Sequence, residues 1–271
     1  MQSNPITEIG SRTTRGPVVT LDPAVLGGLT VLAVWAHPDD ESYLGGGLMA
    51  DVAASGGRVV NVTATLGEHG TPDPEVMPPR RLASIRRAEL ICALNALGVG
   101  ESVVMGFEDA SLDSIPVELG ARRVGALIDE VTPDVVISFG PDGVTGHPDH
   151  IAIGEWTRGA VEDRRDAPAL LQTAAGRWMP RDVIDTMAQL GAFFPGFAPE
   201  PGRDSDVPVV LSESTVDTKL SALAAHGSQT EPFRALLGER DYRRLAAVEA
   251  YSPVNTRAWD LVGATATLSA A

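Results

Sequence analysis

Two short stretches rich in histidine and carboxylates are the parts of this 271-residue sequence that could carry chemistry. The first is HPDDE at 37–41, which directly follows the apolar run VLAVWA. The second is HPDH at 147–150, which follows DVVISF and a glycine-rich loop. Each apolar run is typical of a buried strand, and functional groups in open parallel α/β sheets collect where strands end. Both stretches are therefore expected at one edge of a sheet, provided that their strands are neighbours.

The first stretch holds two adjacent carboxylates that point in different directions. Pro38 fixes its own φ and biases His37 towards extended backbone, and the chain then turns. Asp39 and Asp40 therefore diverge, so that one can bind a metal while its neighbour stays free for proton transfer. Taken alone, either aspartate would most often be a helix N-cap, and a single histidine would most often be a packed or solvated residue. Two stretches that share H-P-D, each after a strand, favour a joint site over these alternatives.

The donor types predict the kind of metal site. Cys92 is the only cysteine, which excludes an internal disulfide and a cysteine-rich zinc site. Histidine and carboxylate donors suit a catalytic zinc ion with three protein ligands and one position open to water. Such an ion lowers the pKa of its water to about 7, a nearby carboxylate can take the proton, and a histidine can stabilise the oxyanion. The sequence therefore predicts metal-assisted amide hydrolysis.

The elements that position these stretches alternate between strands and helices. Short apolar, β-branched runs predict strands at 30–36, 58–65, 102–107, 134–139, 169–174 and 208–212. Helical patterns cover 43–55, 79–98, 117–131, 150–164, 181–190, 215–226 and 231–248. This alternation implies right-handed βαβ crossovers and an α/β fold, with a Rossmann-like, mostly parallel sheet flanked by helices.

Composition predicts the domain organisation. Residues 1–26 are polar with three prolines, and we expect a poorly ordered N-terminal arm. Residues 27–271 are expected to form a single domain. The stretch 191–208 is rich in proline, glycine and charge, so we expect a loop that forms a lid or cap over the site together with the C-terminal helices.

Charge and hydropathy exclude several function classes. The formal net charge of −15 gives no long-range attraction for nucleic acid or anionic lipid. No window approaches the roughly 18 apolar residues of a membrane span, and no basic segment followed by an apolar run marks a signal peptide. We expect a cytoplasmic protein that acts on a small molecule, with a homo-oligomer left open.

The two histidine stretches resemble the motifs of the LmbE/PIG-L family of zinc-dependent N-acetylglucosamine deacetylases. The resemblance rests on AHPDDE (36–41) and GHPDH (146–150), supported by TLGEHG (65–70), RRAEL followed by ALGV (86–99), and KLSALAAHGSQ (219–229). The family includes a mycothiol-pathway deacetylase and amidase, and deacetylases of antibiotic assembly. The resemblance therefore implies a hydrolase of secondary metabolism that removes an N-acyl group, most often acetyl, from an amino sugar or related amide.

The resemblance also implies the metal ligands and the base. His37, Asp40 and His150 match the family's ligands for one Zn²⁺ per chain, with Fe²⁺ as the alternative ion. Asp39 matches the general base that activates water.

Further roles are carried over to residues near the second stretch. The resemblance implies that His147 stabilises the oxyanion and assists the leaving amine, and that Asp149 orients His147. Arg86 and Asp109 fall where relatives contact substrate hydroxyl groups. Some relatives carry a tyrosine two residues before the first histidine of GHPDH, whereas this chain has the shorter Thr145. Either another group replaces that tyrosine or catalysis is less assisted.

Three more residues near these motifs are expected to be structural. Glu41 and Glu68 are expected to accept hydrogen bonds from backbone amides close to the site. His226 lies in an alternating apolar helix, which favours packing or a helix-end role.

Alternative functions remain open at the level of sequence. One is an amidase for a larger conjugate, and another is a non-catalytic metal-binding protein of a pathway. A nucleotide-binding loop at Gly45–Gly47 is disfavoured because the glycines follow three carboxylates that would repel a diphosphate. The presence of both Asp39 and His147 favours a working enzyme.

Overall fold

A computed structural model describes residues 18–71, 73–174, 181–197 and 206–269. Residues 1–17 of the predicted arm and 198–205 of the predicted lid lie outside the described residues. The arm prediction is wrong for the rest of its range, because Val18–Leu21 forms strand β1 and Pro23–Leu26 forms the short helix α1. The side chain of Asp22 accepts a hydrogen bond from the amide of Ala24 and caps α1.

The other elements alternate as the sequence predicts. The strands are β2 Thr30–Trp35, β3 Arg58–Thr63, β4 Glu101–Val104, β5 Val135–Phe139, β6 Ala169–Thr173, β7 Val207–Val210, β8 Val248–Pro253 and β9 Ala266–Ser269. The helices are α2 Asp40–Leu44, α3 Gly46–Ala54, α4 Pro79–Ala96, α5 Val117–Val131, α6 Pro148–Glu162, α7 Arg181–Gln189, α8 Glu213–Ala225, α9 Gly227–Leu237, α10 Glu239–Ala246 and α11 Thr256–Thr265. A short 3₁₀ helix covers Leu112–Ser114.

Two predicted helices are each divided in the structure. The helix expected at 43–55 is α2 and α3, and the first of these already begins at Asp40 inside the first histidine stretch. The helix expected at 231–248 is α9 and α10, which separate at Gly238, where φ is +84°. Strands β8 and β9 and helix α11 were not predicted.

The nine strands in the described part of the chain form one sheet, in the order β4-β3-β2-β5-β6-β8-β7-β1-β9. The five neighbouring strands from β4 to β6 are parallel. Strand β8 is antiparallel to both of its neighbours, and β9 is antiparallel to β1. The predicted α/β fold with a mostly parallel sheet is therefore confirmed.

The two strands that precede the histidine stretches are neighbours in this sheet. Leu32 of β2 lies opposite Val136 of β5. From β2 the chain continues outwards through β3 to β4 and then returns to β5 on the other side of β2. Such a reversal of direction opens a crevice at the carboxyl ends of the strands. The expectation that both stretches share one sheet edge is confirmed.

Helices cover the sheet and keep its edge in place. Helix α4 packs against α8, and α5 packs against α6. Strands β2 and β5 are buried almost along their whole length, as expected for parallel strands covered on both faces. None of the helices in the described ranges combines the length and apolarity that crossing a membrane requires.

Candidate active site

The turn after β2 folds Asp40 back towards His37. Asp39 adopts a left-handed backbone with φ +96°, and its carbonyl accepts hydrogen bonds from the amides of Ser42 and Tyr43 as α2 begins. The amide of His37 then donates to Asp40 Oδ2 at 2.7 Å. A left-handed conformation is uncommon for a residue other than glycine, so the surrounding contacts must hold it.

The loop after β5 brings His150 to the same place. Gly143 has φ +63°, and a Cβ at this position would lie 2.9 Å from the Cβ of His150, so the close approach requires glycine. The carbonyl of Gly143 accepts a hydrogen bond from His150 Nδ1 at 3.0 Å. Helix α6 begins directly after His147, which is its N-cap.

The donor atoms of three side chains from these two turns converge on one point. His37 Nδ1 lies 3.1 Å from His150 Nε2 and 3.6 Å from Asp40 Oδ2. His150 Nε2 lies 3.3 Å from Asp40 Oδ1. A tetrahedral zinc site with bonds of about 2.0–2.1 Å would separate its ligand atoms by about 3.3 Å. The spacing of the three donors therefore fits a metal ion held between them.

The hydrogen-bond partners of the two imidazoles point to the same conclusion. Nδ1 of His150 donates to a carbonyl, which leaves a lone pair on Nε2. Nε2 of His37 contacts two carboxylates, which leaves a lone pair on Nδ1 of the neutral ring. The 3.1 Å between these two nitrogens requires a positive charge between them, which is either a metal ion or the proton of a charged His37.

The charges of the donors also suit a divalent cation. Burial lowers the pKa of His150 to about 4, so this ring is neutral and able to bind a metal at neutral pH. Burial opposes the charged form of Asp40, but His150 and His37 outweigh it and lower the pKa of the carboxyl to about 2. The site therefore offers neutral imidazole and an ionised carboxylate.

Two buried carboxylates hold the outer nitrogen of His37. Asp109 Oδ1 lies 3.0 Å and Asp149 Oδ2 lies 3.2 Å from His37 Nε2. Burial opposes a charge on His37, but these carboxylates and Asp40 outweigh it and raise its pKa. Outer partners of this kind fix the ring and strengthen it as a metal ligand.

The sequence predicts that Asp149 orients His147, but the structure shows a different partner. Its carboxylate binds His37 and accepts hydrogen bonds from the amides of Ala110 and Leu112, and it does not contact the ring of His147. Instead, the backbone amide of Asp149 donates to His147 Nδ1 at 3.1 Å. The reason is that His147 caps α6, whereas the fully buried side chain of Asp149 points towards β2.

His147 is placed to donate a hydrogen bond into the pocket. Because its Nδ1 accepts from a backbone amide, the proton of the neutral ring lies on Nε2. Burial, with His37 nearby, lowers its pKa and favours this neutral form.

Residues 191–197 form the loop that the sequence predicts there, and its Phe194 lies against His147 with ring centroids 5.5 Å apart. Thr145, at the position where some relatives carry a tyrosine, contacts Nδ1 of His150 at 3.2 Å.

Asp39 stands beside the three donors as the candidate base. Its amide donates to Glu41 Oε2 at 2.9 Å, and its carboxylate lies 3.4 Å from Nη2 of Arg86. Burial raises the pKa of Asp39 to about 6, while Arg86 acts in the opposite direction. A base whose pKa lies near neutrality is well matched to proton transfer.

A second buried pair supports this base. Glu41 Oε1 lies 2.6 Å from Nε2 of His226, and both side chains are fully buried. The predicted structural role of Glu41 is confirmed by its bond to the Asp39 amide, and that of Glu68 by its bond to the Asp109 amide at 3.1 Å. His226 does lie at a helix end, but its link to Glu41 had no signal in the sequence, since 185 positions separate the two.

The two predicted substrate-binding residues line the pocket but also support the site. Arg86 is 4% exposed and donates to the carbonyls of Pro38 and Gly67. Asp109 accepts a hydrogen bond from the amide of His69 while it contacts His37. Contact of either side chain with substrate hydroxyl groups stays a prediction.

These residues line a pocket of about 670 Å³ together with apolar side chains from other elements, and we name the two groups separately. We call His37, Asp39, Asp40, His147 and His150 the catalytic end. We call Leu44, Met187, Phe233, Leu245 and Val248 the apolar end. Pockets of roughly 300–1,000 Å³ enclose ligands of drug size, so this one exceeds what a single sugar ring requires.

Comparisons with known proteins identify the family to which this chain is related. Residues 32–161 match the family described as PIG-L: GlcNAc-PI de-N-acetylase. A 1D-myo-inositol 2-acetamido-2-deoxy-alpha-D-glucopyranoside deacetylase of Streptomyces avermitilis is 32% identical, over 83% of this chain and 95% of that protein. The deacetylase of the same name from Actinosynnema mirum is 33% identical, over 78% of this chain and 84% of its own.

Solved structures share the fold. N,N'-diacetylchitobiose deacetylase from Pyrococcus horikoshii has a TM-score of 0.58 at 23% identity and covers 83% of each chain. Teicoplanin deacetylase Orf2, in a zinc-inhibited form, has a TM-score of 0.60 at 19% identity, over 83% of this chain and 97% of its own. At this level of identity the likeness concerns the α/β fold.

Proposed function

This chain belongs to the PIG-L (LmbE-like) family, and we propose that it hydrolyses the N-acyl group, acetyl in the simplest case, of an acylated amino sugar. The curated relatives are named as deacetylases of an acetamido sugar linked to inositol. The observation that carries the proposal is the convergence of His37, Asp40 and His150, whose neighbouring donor atoms lie 3.1–3.6 Å apart, with the carboxylate of Asp39 beside them. That arrangement suits hydrolysis of an amide.

The proposed cofactor is one Zn²⁺ per chain, with Fe²⁺ as the alternative. His37, Asp40 and His150 would hold it. When bound, zinc supplies Lewis acidity towards a carbonyl oxygen and a water molecule. The group of His37, Asp109 and Asp149 is less suited to an ion, because both carboxylates already accept backbone hydrogen bonds and share Nε2 of His37.

The chain's own residues supply the proton transfers. Asp39 accepts a proton from the attacking water, and Arg86 keeps the carboxylate in position. His147 donates from Nε2 to the oxygen that gains negative charge. As the carbon–nitrogen bond breaks, Asp39 passes the proton that it took from water to the leaving amine, assisted by the hydrogen bond from His147, and the free amino sugar departs with acetate.

Two further candidates are weaker. An amidase for a larger conjugate is favoured by the size of the pocket alone. A non-catalytic metal-binding protein would not need a held base and a free imidazole donor, both of which are present. We place the enzyme in the cytoplasm, acting on a small molecule of secondary metabolism, in keeping with the net charge of −15.

Metal analysis combined with acetate release tests the proposal. The purified protein is expected to contain about one metal ion per chain and to release acetate from N-acetylglucosamine, its methyl glycoside or the inositol glycoside. Chelation should abolish release, and added Zn²⁺ should restore it. Bound metal without acetate release from any of these compounds would contradict the proposed activity, and a protein that cannot be loaded would contradict the site.

A further inference from the structure

The apolar end of the pocket is built by elements that contribute nothing to the catalytic end, apart from α2. Leu44 comes from α2, Met187 from α7, Phe233 from α9, Leu245 from α10 and Val248 from β8. Leu44, Phe233 and Leu245 are only partly buried and pack on the main core. These side chains therefore present apolar surface to the pocket.

Glu249 places a carboxylate at this end of the pocket, and both of its oxygens already accept hydrogen bonds. Glu249 lines the pocket, but its Oε1 accepts hydrogen bonds from Lys219 Nζ and the amide of Gly47, both at 2.7 Å. Its Oε2 accepts from the amide of Leu48 at 3.0 Å and from the hydroxyl of Tyr251 at 2.7 Å. The ion pair with Lys219 also neutralises its charge. Glu249 therefore has little capacity left for a ligand.

The Tyr43 hydroxyl group in the pocket wall is paired as well. Tyr43 lines the pocket next to Leu44, and its hydroxyl lies 3.1 Å from that of Tyr242. A polar substrate group set against Leu44, Phe233 and Leu245 would lose water without gaining partners there, which is unfavourable, although the Thr173 hydroxyl and the Gln229 amide also line the pocket. An alkyl or aryl group would instead gain about 25 cal/mol for each Å² of apolar surface buried there.

We propose that the natural substrate carries an alkyl or aryl group that occupies the apolar end while its N-acyl amide lies at the catalytic end. This inference rests on the proposed function and names the class of substrate for the same site. The two ends belong to one continuous pocket, so a single molecule can fill both. The apolar group has two chemical sources, because it can be the aglycone of the sugar or a longer N-acyl chain.

Two series of synthetic substrates separate these sources. The first consists of methyl, propyl, butyl, hexyl and phenyl glycosides of N-acetylglucosamine, and the second of glucosamine acylated with acetyl, butanoyl and hexanoyl groups. Release of free amine by the zinc-loaded enzyme gives kcat and KM. In the series that extends the natural apolar group, we expect KM to fall about threefold for each added methylene, with a smaller change in kcat.

Leu245→Asn ties this preference to the apolar end. The variant should flatten the dependence of KM on chain length, whereas Leu236→Asn, at a leucine of α9 that is 67% exposed, should retain it. If Leu245→Asn does not fold, inhibition of the unaltered enzyme by alkyl glucosides without an acetamido group provides the second readout. Their inhibition constants should fall in parallel with chain length.

The outcomes distinguish this inference from the proposed function. Hydrolysis of the methyl glycoside with a flat response in both series, or a preference that Leu245→Asn leaves intact, would overturn the apolar substrate and leave the deacetylase standing. A better response to the inositol glycoside than to every alkyl glycoside would overturn it too. Failure of the zinc-loaded enzyme on every compound would overturn both.

Discussion

The catalytic end and the apolar end of the pocket are constructed in opposite ways. At the catalytic end, the polar side chains are fixed by hydrogen bonds and ion pairs, as with His37 between Asp109 and Asp149. At the apolar end, side chains such as Leu245 are held by packing, and the nearby charge of Glu249 is neutralised by Lys219. Chemistry requires fixed polar geometry, whereas recognition of an apolar group requires shape and freedom from unpaired charge.

The family match covers the catalytic end of the pocket and almost none of the apolar end. Residues 32–161 contain every residue of the catalytic end, but only Leu44 of the apolar end. The remaining apolar residues lie from Met187 onwards, in elements beyond the match. We infer that the shared segment provides the hydrolysis and that the later elements choose the substrate.

Removal of a metal ligand is expected to have the largest effect. His150→Ala should lower metal affinity by far more than the 10–100-fold that loss of an outer partner costs, and acetate release should fall with it. Metal content by elemental analysis and a far-ultraviolet spectrum check the change. His69→Ala is the matched control, since His69 is an exposed histidine of the same pocket and should leave the metal content unchanged. Stoichiometric metal in His150→Ala would refute the ligand set.

Removal of the base should affect turnover but not metal. Asp39→Asn keeps the size of the side chain and the backbone bond to Glu41 while removing the proton acceptor. We expect kcat to fall about 10²–10⁴-fold, the usual contribution of a positioned base. Metal content of the same preparation should stay at about one ion per chain. A variant that loses its metal would make Asp39 a ligand instead.

A change behind the apolar end should affect stability and leave the metal in place. Lys219→Met removes the partner of the buried carboxylate of Glu249, and we expect a loss of about 3 kcal/mol in the free energy of unfolding. Urea unfolding measures the loss. Arg158→Met, which breaks the exposed pair with Glu162, should cost less than about 1 kcal/mol. A stable Lys219→Met protein that binds no metal would show that the two ends of the pocket are not independent and would contradict this prediction.

The smallest of these effects concerns an outer partner of the metal site. Asp149→Asn leaves His37 with a weaker acceptor at Nε2, so metal affinity should fall about 10–100-fold. Competition with a chelator of known affinity measures it. Asp129→Asn, at an exposed aspartate paired with Arg164, is the control and should have no effect. An unchanged affinity in Asp149→Asn would assign the carboxylate a purely structural role.

The sequence predicts where the two histidine stretches meet because its signals are local. His37 and His150 each follow an apolar strand within a few residues, and the two strands are of the type that a parallel sheet places side by side. The partner of Asp149 could not be predicted, since the direction of a side chain in the first turn of α6 depends on what caps the helix. The link between Glu41 and His226 crosses 185 positions and has no periodic pattern.

The sequence predicts the region beyond β6 less well. Strand β8 contains Glu249 and Pro253, residues that are rare in strands, and its glutamate is tolerated only because Lys219 from α8 reaches it. Strand β1 lies within a polar N-terminal stretch and is a strand only through its pairing with β7 and β9. Such elements depend on contacts between distant parts of the chain, which composition and periodicity do not reveal.

The most direct test of the account is to locate the metal by anomalous X-ray diffraction from crystals of the zinc-loaded protein, with data collected on both sides of the zinc absorption edge. We predict one anomalous peak bounded by His37 Nδ1, His150 Nε2 and the carboxylate of Asp40, with Asp39 beside it. A peak at Asp109 and Asp149 on the other side of His37, or none in the pocket of a catalytically active crystal, would contradict the assignment of the catalytic end.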